Sequence, residues 1–428
     1  MTAAAGTSTA MARDTAWNFA ALAVTAAVGG LITMLIAVRM GPHAVGVFAQ
    51  LYAAHVVGAQ AAVFGVHDST QKHIAGSMGS MGSTGSIVTT ALGLVLVIGS
   101  ALAALLIWAA PAIGDAVASA DVGTGLLLVA PGIVAFALNK VLFGALNGRG
   151  ELRLYAWMQF LRAAFVLAAT VGILAAALPA YAVGGIFTAA ELALLPCLLL
   201  AVRPRQTGAA QEWRRRHLAF GGRGLVNGVL LETHLRVDVI ALGYFVSDRA
   251  VGIYAFAMLF AEAVYQVPVV IRTVAYPALV RLSAAGDRAS VTALVRRISM
   301  RGGVACLAAA VAAAIAYPML AGRFDPAYLE GVRPLHILLA GMVVYAFFVP
   351  FDQLLLQSGF PGRQSVMMAS YVTINVVLNI ALIPPYGLAG AATATAISLI
   401  LAGALLLAAS WVWLGYRGSV LLSTRKVT

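Results

Sequence analysis

Nine ionisable side chains fall within long apolar stretches of this 428-residue sequence: Lys140, Arg162, Glu191, Glu232, Arg236, Asp238, Glu262, Arg272 and Asp352. A charge in an apolar environment is costly, so it usually has a function or a partner. Basic groups there can bind an anion, and the planar guanidinium of arginine can hold phosphate oxygens through paired hydrogen bonds. Buried carboxylates can exchange a proton or bind a cation, because burial without a partner favours their neutral form.

The basic candidates for binding an anionic substrate are Lys140, Arg162, Arg236 and Arg272. Arg162 and Arg272 lie near the inner ends of their apolar stretches, so they can also simply extend to the lipid headgroups. Lys140 lies deeper, beside Asn139, and Arg236 is near the middle of its stretch. Both of these positions favour a polar cavity over the lipid interface.

The acidic candidates for ion coupling are Glu191, Glu232, Asp238 and Glu262. Glu232 precedes Arg236 by four residues, which is the favourable order for an ion pair within one helix. The other three carboxylates can each be the structural partner of Arg236 or Lys140 instead. Asp352 lies near an inner end and can face water. Five acids and four bases leave the interior about neutral, which is less cationic than binding of a polyanion alone would favour.

Uncharged polar residues add weaker candidates. Asn18 and Asn375, together with Asn379, can bind sugar hydroxyls, although hydrogen bonds between helices are a common use of such residues. His55 is isolated, so a packing role is the simpler interpretation. The sequence contains no Walker A motif and no spacing typical of a metal site or a nucleophile–base pair. It therefore predicts neither a metal nor an organic cofactor, and it favours a non-enzyme.

The elements that must position these residues are membrane-spanning helices. Of all residues, 62% are hydrophobic and 10% are charged, and the mean hydropathy is +0.94. Lipid must therefore surround most of the chain, and only helices suit apolar runs of this length. The sequence predicts an all-α integral membrane protein with twelve spans, at 16–38, 44–66, 87–109, 124–146, 156–178, 182–202, 224–246, 251–276, 302–321, 335–357, 364–384 and 388–411.

The distribution of basic residues orients these spans. With the N-terminus inside, the inner segments contain 19 of the 27 lysines and arginines, and the outer loops contain four. This asymmetry predicts a multi-pass protein of the bacterial cytoplasmic membrane with both termini in the cytoplasm. The net charge of +12 is explained by topology and does not indicate nucleic-acid binding.

The same pattern suggests a division of the chain. We expect an N-terminal six-helix lobe at 1–202, a basic cytoplasmic linker at 203–223, a C-terminal six-helix lobe at 224–411 and a cytoplasmic tail at 412–428. Residues 288–301 place apolar side chains on one helical face with arginines beside it, which predicts an interfacial helix on the inner leaflet.

The two predicted lobes resemble each other in sequence. AVGVFA at 44–49 recurs as AVGIYA at 250–255, and PAYAVGG at 179–185 recurs as PPYGLAG at 384–390. The offsets are 206 and 205 residues, and both motifs lie at an outer turn between paired spans. An offset of six spans predicts parallel repeats related by a pseudo-two-fold axis along the membrane normal. This architecture is typical of alternating-access transporters.

Five stretches resemble the polysaccharide-unit flippases of the multidrug/oligosaccharidyl-lipid/polysaccharide (MOP) exporter superfamily, which include O-antigen and exopolysaccharide translocases. These stretches are 379–395, 236–243, 251–257, 65–75 and 146–150. The resemblance implies two six-helix lobes around a central cavity and an undecaprenyl-diphosphate-linked oligosaccharide as substrate. It also implies membrane lipids, a polysaccharide polymerase and glycosyltransferases as partners, and H⁺ or Na⁺ as a coupling ion.

Other functions stay open at the level of the sequence. An ion-coupled multidrug exporter of the same superfamily would share the lobes and the intramembrane acids. A lipid II flippase is a weaker alternative, because the N-terminal pattern associated with those proteins is absent. A membrane glycan polymerase or glycosyltransferase is weaker still, since the outer loops near 110–123 and 322–334 are short.

Overall fold

A computed structural model describes residues 2–76, 81–204, 210–233, 236–285, 287–349 and 361–414, and all the regular secondary structure in these ranges is helical. Its helices are α1 Thr2–Val63, α2 Val66–Gly76, α3 Met81–Ala116, α4 Ala120–Gly148, α5 Leu152–Ala175, α6 Gly185–Val202, α7 Ala210–Thr233, α8 Val237–Phe245, α9 Asp248–Ala284, α10 Arg288–Phe324, α11 Val332–Ala346 and α12 Pro361–Leu414. Short 3-10 turns at Ala180–Gly184 and Pro326–Gly331 precede α6 and α11. The predicted all-α membrane fold is confirmed.

Nine candidate membrane spans occur within the described ranges, and two of them are long enough to cross twice. The stretch Ala20–Val63 has 44 residues, so as one straight helix it would be roughly 66 Å long, about twice the thickness of a bilayer core. It bends at Gly41, whose φ is 79°. The stretch Val366–Ala408 bends likewise at Gly387, with φ at 54°. Each bend lies at an outer turn that the sequence predicted between two spans.

The predicted seventh span, 224–246, is not one helix. Its first part belongs to α7, which already begins at Ala210 and ends at Thr233, and its second part is the short helix α8, Val237–Phe245. Most of the predicted linker, 203–223, is therefore helical. The physical reason is that residues 210–223 are amphipathic, with Trp213 and His217 buried and the arginines exposed.

The predicted interfacial segment 288–301 is the first part of α10 and continues into the following span without a break. Val291, Val295 and Ile298 are buried, whereas Arg296 and Arg297 are exposed. The far end of the predicted tenth span, 350–357, lies outside the described residues.

The chain divides into two compact units, Met1–Thr233 and His234–Thr428. The division thus falls after α7, whereas the sequence suggested a linker ending at residue 223. In the first unit α4 is the central helix, and Leu142 and Leu146 are fully buried. α2 crosses α4 closely at two glycines, because a Cβ on Gly144 would lie 2.7 Å from the carbonyl oxygen of His67 and one on Gly148 would lie 2.8 Å from that of Gln71.

The second unit has an aromatic core where α9, α10 and the 3-10 turn Pro326–Gly331 meet. The ring centroids of Phe256 and Tyr328 are 4.3 Å apart. The Tyr317 hydroxyl donates a hydrogen bond of 2.7 Å to the carbonyl oxygen of Tyr328. All three rings are fully buried, so this core fixes the C-terminal end of α10 against the N-terminal part of α9.

Candidate functional site

Glu191 is the centre of a charged cluster in the first unit. Its side chain is 1% exposed, and its Oε1 accepts hydrogen bonds from Arg162 Nε at 2.7 Å and Arg162 Nη2 at 2.5 Å. Asn139 Nδ2 lies 2.8 Å from both the Oε2 and the carbonyl oxygen of Glu191. The carboxylate is therefore held by α4 and α5 together, and its charge is compensated by Arg162. This geometry favours a structural partner over an ion-coupling acid, although the partner is Arg162 and neither Arg236 nor Lys140, the two that the sequence suggested.

Phe136 joins the two basic residues of this cluster. The Arg162 guanidinium carbon lies 4.7 Å from the ring centroid, and Lys140 Nζ lies 5.5 Å from it. Contacts of this kind attract cations to the ring face. Lys140 Nζ also donates a hydrogen bond of 2.5 Å to Gln60 Oε1. One ring thus brings together two cations that come from different spans and lie 22 residues apart in the sequence, Lys140 and Arg162.

The two cations are accessible as well as ordered. The Arg162 side chain is 26% exposed, and Lys140 is half-buried. The bonds of Arg162 to Glu191 use only its Nε and Nη2, and guanidinium has further N–H donors. An anion can therefore bind this cluster without displacing Glu191.

Aromatic rings extend the cluster towards α1 and α6. His55 stacks on Phe187 with centroids 4.9 Å apart and meets Phe136 edge-on at 5.5 Å. His55 is fully buried, and neither ring nitrogen has a hydrogen-bond partner among the described residues. The ring contacts fit a packing role, whereas the two unpartnered nitrogens are not explained by it. Phe136 and Phe187 are the members of the site that sequence reasoning missed, and no spacing signal distinguishes them from other apolar residues.

The start of α2 borders the cluster, outside the spans. His67 Nε2 lies 3.3 Å from Asp68 Oδ1. Burial, with the Lys140 charge nearby, lowers the pKa of His67 to about 3, so the ring is neutral at physiological pH. Burial raises the pKa of Asp68, and the Lys140 charge opposes that shift. Asp68 and Glu232 both act electrostatically on Lys140. This places Glu232 with the first-unit cluster.

A second group of charges lies in the second unit, where α8 begins. Arg236 Nη1 is 3.6 Å from Glu262 Oε1. Asp238 is 4% exposed and accepts a hydrogen bond of 2.7 Å from the Tyr254 hydroxyl and one of 2.9 Å from the Val239 N–H. Asp238 lies in the first turn of α8, where the helix dipole stabilises a negative charge.

Polar groups of α12 line the same part of the second unit. Thr395 is close enough to act on the Tyr254 hydroxyl, and Tyr371 lies within electrostatic range of Asp238. Asn379 Nδ2 lies 2.9 Å from both the carbonyl oxygen and the Oδ1 of Asn375. Asn379 Oδ1 is buried and has no hydrogen-bond partner among the described residues. The carboxylate of Asp238, buried beside the Tyr254 hydroxyl, is suited to bind and release a proton.

The structure thus divides the sequence-derived candidates into two sets. Lys140, Arg162, Glu191 and Glu232 lie in the first unit, whereas Arg236, Asp238, Glu262 and Asn375 lie in the second. Arg236 contacts Glu262, and Glu232, which the sequence offered as one possible partner of Arg236, acts electrostatically on Lys140. Arg272 is partly exposed on α9. The side chain of Asn18 and all of Asp352 lie outside the described part of the chain.

Comparison with known proteins gives a consistent picture. A family model described as polysaccharide biosynthesis protein matches residues 83–333. A probable flippase of Haloferax volcanii, AglR, is 28% identical over 172 residues, which are 39% of this chain and 35% of the relative. The chain thus spans about a third of the length of the curated relative it matches.

Two solved structures share the fold over most of the chain. The lipid II flippase MurJ, in an inward closed conformation, superposes with a TM-score of 0.73 at 15% identity, over 92% of this chain and 87% of that one. An inward-facing multidrug resistance MATE family transporter of the MOP superfamily gives 0.71 at 12% identity, over 91% and 96%. At these identities the likeness concerns the fold alone, and it is the fold that the sequence motifs predicted.

Proposed function

The chain belongs to the polysaccharide biosynthesis protein family, and from that premise we propose that it is a flippase for a lipid-linked oligosaccharide. The substrate is of the undecaprenyl-diphosphate type and moves from the inner to the outer leaflet of the bacterial cytoplasmic membrane by alternating access. Both termini lie in the cytoplasm. A polymerase and glycosyltransferases are the expected partners, since a lipid-linked glycan must be made on one face and used on the other.

The observation that carries this proposal is the pair of cations around Phe136. A diphosphate headgroup needs cations inside the membrane, while its glycan needs polar walls and its lipid tail stays in the bilayer. Lys140 and Arg162 provide two accessible cations, and Arg162 is already oriented by Glu191. The carboxylates of Glu232 and Asp68 partly offset the positive charge of Lys140. This arrangement permits release of the anion as well as its binding.

The second unit supports a coupling role for Asp238. Its carboxylate is buried, hydrogen-bonded to Tyr254 and close to polar groups of α12. Glu262, whose side chain is 40% exposed beside Arg236, is the second acid of this region. Binding and release of H⁺ or Na⁺ at Asp238 changes the charge of the unit, and that change is the proposed link between an ion gradient and transport.

An ion-coupled multidrug exporter is the second candidate function. The observation that favours it is the presence of two carboxylates in the second unit, Asp238 and Glu262, of which Glu262 lies beside Arg236. Such a site suits an organic cation exchanged for a proton. A polymerase or glycosyltransferase is a third reading, and the comparisons argue against it because AglR, MurJ and the MATE protein are named as flippases or transporters.

The test is deletion of the gene and rescue with variants, followed by measurement of undecaprenyl-linked glycan on each face of the membrane. We expect deletion to retain the glycan on the inner face. Lys140→Ala and Arg162→Ala should fail to restore the outer-face glycan at normal expression. Arg249→Ala, which removes an exposed arginine paired with Glu330, is the matched control and should restore it.

One outcome would overturn the proposed flippase function, and another would overturn only the assignment of its binding site. An unchanged glycan distribution after deletion, combined with increased sensitivity to cationic drugs, would identify an exporter. Full rescue by Lys140→Ala and Arg162→Ala would leave the flippase activity standing and remove the Phe136 cluster from it.

A further inference from the structure

Helix α7 is fixed on the first unit by a buried histidine. His217 is fully buried; its Nδ1 lies 2.9 Å from Ser69 Oγ on α2, and its Nε2 lies 3.1 Å from the carbonyl oxygen of Ile87 on α3. Trp213, one turn earlier, is 9% exposed. Both polar atoms of the imidazole are thus satisfied by different helices. One face of α7 is therefore held in place.

The second half of α7 extends from the inner ends of the spans into the interior of the first unit. Gly221 packs on the junction between α1 and α2, where a Cβ on Gly65 would lie 3.1 Å from Gly221 Cα. Gly228 approaches Gln60, and Glu232 acts on Lys140. The first half of α7, residues 210–223, thus lies at the inner ends of the spans, where the membrane meets the cytoplasm.

The opposite face of this first half is basic. Arg214, Arg215 and Arg223 are exposed, and Leu218 between them is 40% exposed. Arg216 differs from these three, because it is paired with Glu212 and lies over the Trp213 ring. Exposed arginines beside an apolar side chain, on a helix whose other face is anchored in protein, are typical of a helix at the membrane interface.

We propose that this face of α7, formed by Arg214, Arg215, Leu218 and Arg223, binds the anionic phospholipid headgroups of the inner leaflet. Charge complementarity argues for this occupant, since the leaflet beside the inner ends of the spans is negative and arginine binds phosphate oxygens through paired hydrogen bonds. Leu218 reaches into the acyl boundary. The proposal concerns resident lipid and stands independently of the transported substrate.

The test measures binding of fluorescently labelled phosphatidylglycerol to the detergent-solubilised full chain by anisotropy. Each arginine contact with an anionic lipid surface is worth roughly fivefold in affinity. The variant R214Q/R215Q/R223Q should therefore bind about a hundredfold more weakly, and binding to the unmodified chain should weaken as salt is raised. The matched control R249Q/R323Q/R333Q removes three exposed arginines from predicted outer loops and should bind like the unmodified chain.

Three further measurements distinguish binding of an anionic lipid from non-specific lipid binding and from binding of free phosphate. Labelled phosphatidylcholine should bind much more weakly, and inorganic phosphate at millimolar concentration should not compete. Arg215→Gln alone should lower the affinity about fivefold. This single substitution still tests the proposal if the triple variant misfolds. Equal binding of both lipids, equal loss in the control, or undiminished binding in Arg215→Gln and the triple variant would overturn the proposal.

Discussion

Arg162 on α5 and Glu191 on α6 form an ion pair in which two guanidinium nitrogens contact a single carboxylate oxygen, at 2.5 and 2.7 Å. The second oxygen of Glu191 is bound to Asn139. This arrangement orients one cation of the proposed binding site and at the same time fastens three helices. Stability and the proposed substrate binding therefore both involve the same carboxylate, and variants can separate the two roles.

Glu191→Gln should destabilise the protein, because the Arg162 charge loses its partner while the side chain of residue 191 stays buried. We expect a loss of about 1–3 kcal/mol in the free energy of unfolding, measured by thermal unfolding in detergent. Glu330→Gln breaks the exposed Arg249–Glu330 pair and should change stability by less than about 1 kcal/mol. Equal effects of the two substitutions would contradict a structural role for Glu191.

Phe136→Leu should impair translocation while the protein stays folded. The ring attracts both cations, and cation–π contacts at accessible sites contribute about 0.5–1 kcal/mol each, so we expect translocation to fall roughly five- to thirtyfold. Phe136→Trp keeps an aromatic face and should retain most activity. The measurement is the rate of appearance of glycan at the outer face in the complementation strain. Similar activity of the leucine and tryptophan variants would show that the ring acts only by filling space.

Asp238→Asn should abolish the response of transport to an imposed Na⁺ or H⁺ gradient in membrane vesicles, since the amide cannot change charge. Tyr254→Phe removes the hydroxyl that donates to Asp238 and should weaken the response without abolishing it. Tyr317→Phe is the matched control: its hydroxyl donates to the Tyr328 carbonyl, so its loss should lower stability alone. An unchanged gradient response in Asp238→Asn would move the coupling role to Glu262.

Docking of α7 should weaken as the pH falls. Burial lowers the pKa of His217 from 6.5 to about 4, and His73, with its ring 6.4 Å away, also acts in that direction. His217 is therefore neutral while α7 is docked, and its imidazole binds a proton more readily when α7 is released. The free energy of α7 docking is therefore most favourable above pH 6.5 and becomes less favourable between pH 6.5 and about 4. The total change is about 3 kcal/mol at most.

Hydrogen exchange of residues 210–222 measures this effect, and it should accelerate between pH 7 and pH 5 after correction for intrinsic exchange rates. His217→Gln should exchange faster at every pH and lose the dependence. His73→Gln should keep it, because His73 contacts Trp213 and the His217 ring without accepting the docking bonds. A pH-independent profile in the unmodified chain would refute the assignment.

Two glycines on α7 provide a matched pair of substitutions. A Cβ on Gly221 would collide with the Phe64 carbonyl oxygen, whereas one on Gly224 meets nothing within 4 Å. Gly221→Ala should therefore cost about 1–3 kcal/mol through overpacking. Gly224→Ala should stabilise the helix by about 0.5–1 kcal/mol. Protection of α7 from limited proteolysis will rank the two variants, and the reverse order would mean that α7 does not rest on the Phe64 junction.

Much of the fold follows from the sequence because lipid leaves few choices for the backbone. Apolar runs longer than a bilayer must form helices, and each pair of runs separated by a Gly–Pro or Pro–Pro–Tyr–Gly turn must bend there, as seen at Gly41 and Gly387. The break before Val237 was not predictable in this way. Residues 224–246 are apolar enough for one span. Only the packing of α7 on α2 and α3 shows that their first part belongs to α7 and their second part to α8.

The site was predictable in residue type but not in pairing. The rule that intramembrane charges have partners identified Arg162, Glu191, Arg236 and Glu262. Which charges meet depends on how helices pack, and that information is spread over many weak apolar contacts. Glu232 is the clearest case: its spacing allows a pair with Arg236, whereas the fold also brings it within electrostatic range of Lys140.

The boundary between the two units has a practical consequence for anyone who wishes to express the protein as two fragments. A cut within residues 205–209 would leave α7 on the second fragment, with Trp213 and His217 exposed to solvent and the pocket between Ser69 and Ile87 unfilled. A cut between Thr233 and His234 keeps α7 with the helices that bury it. Fragments made at that position should each aggregate far less than fragments made at 205–209.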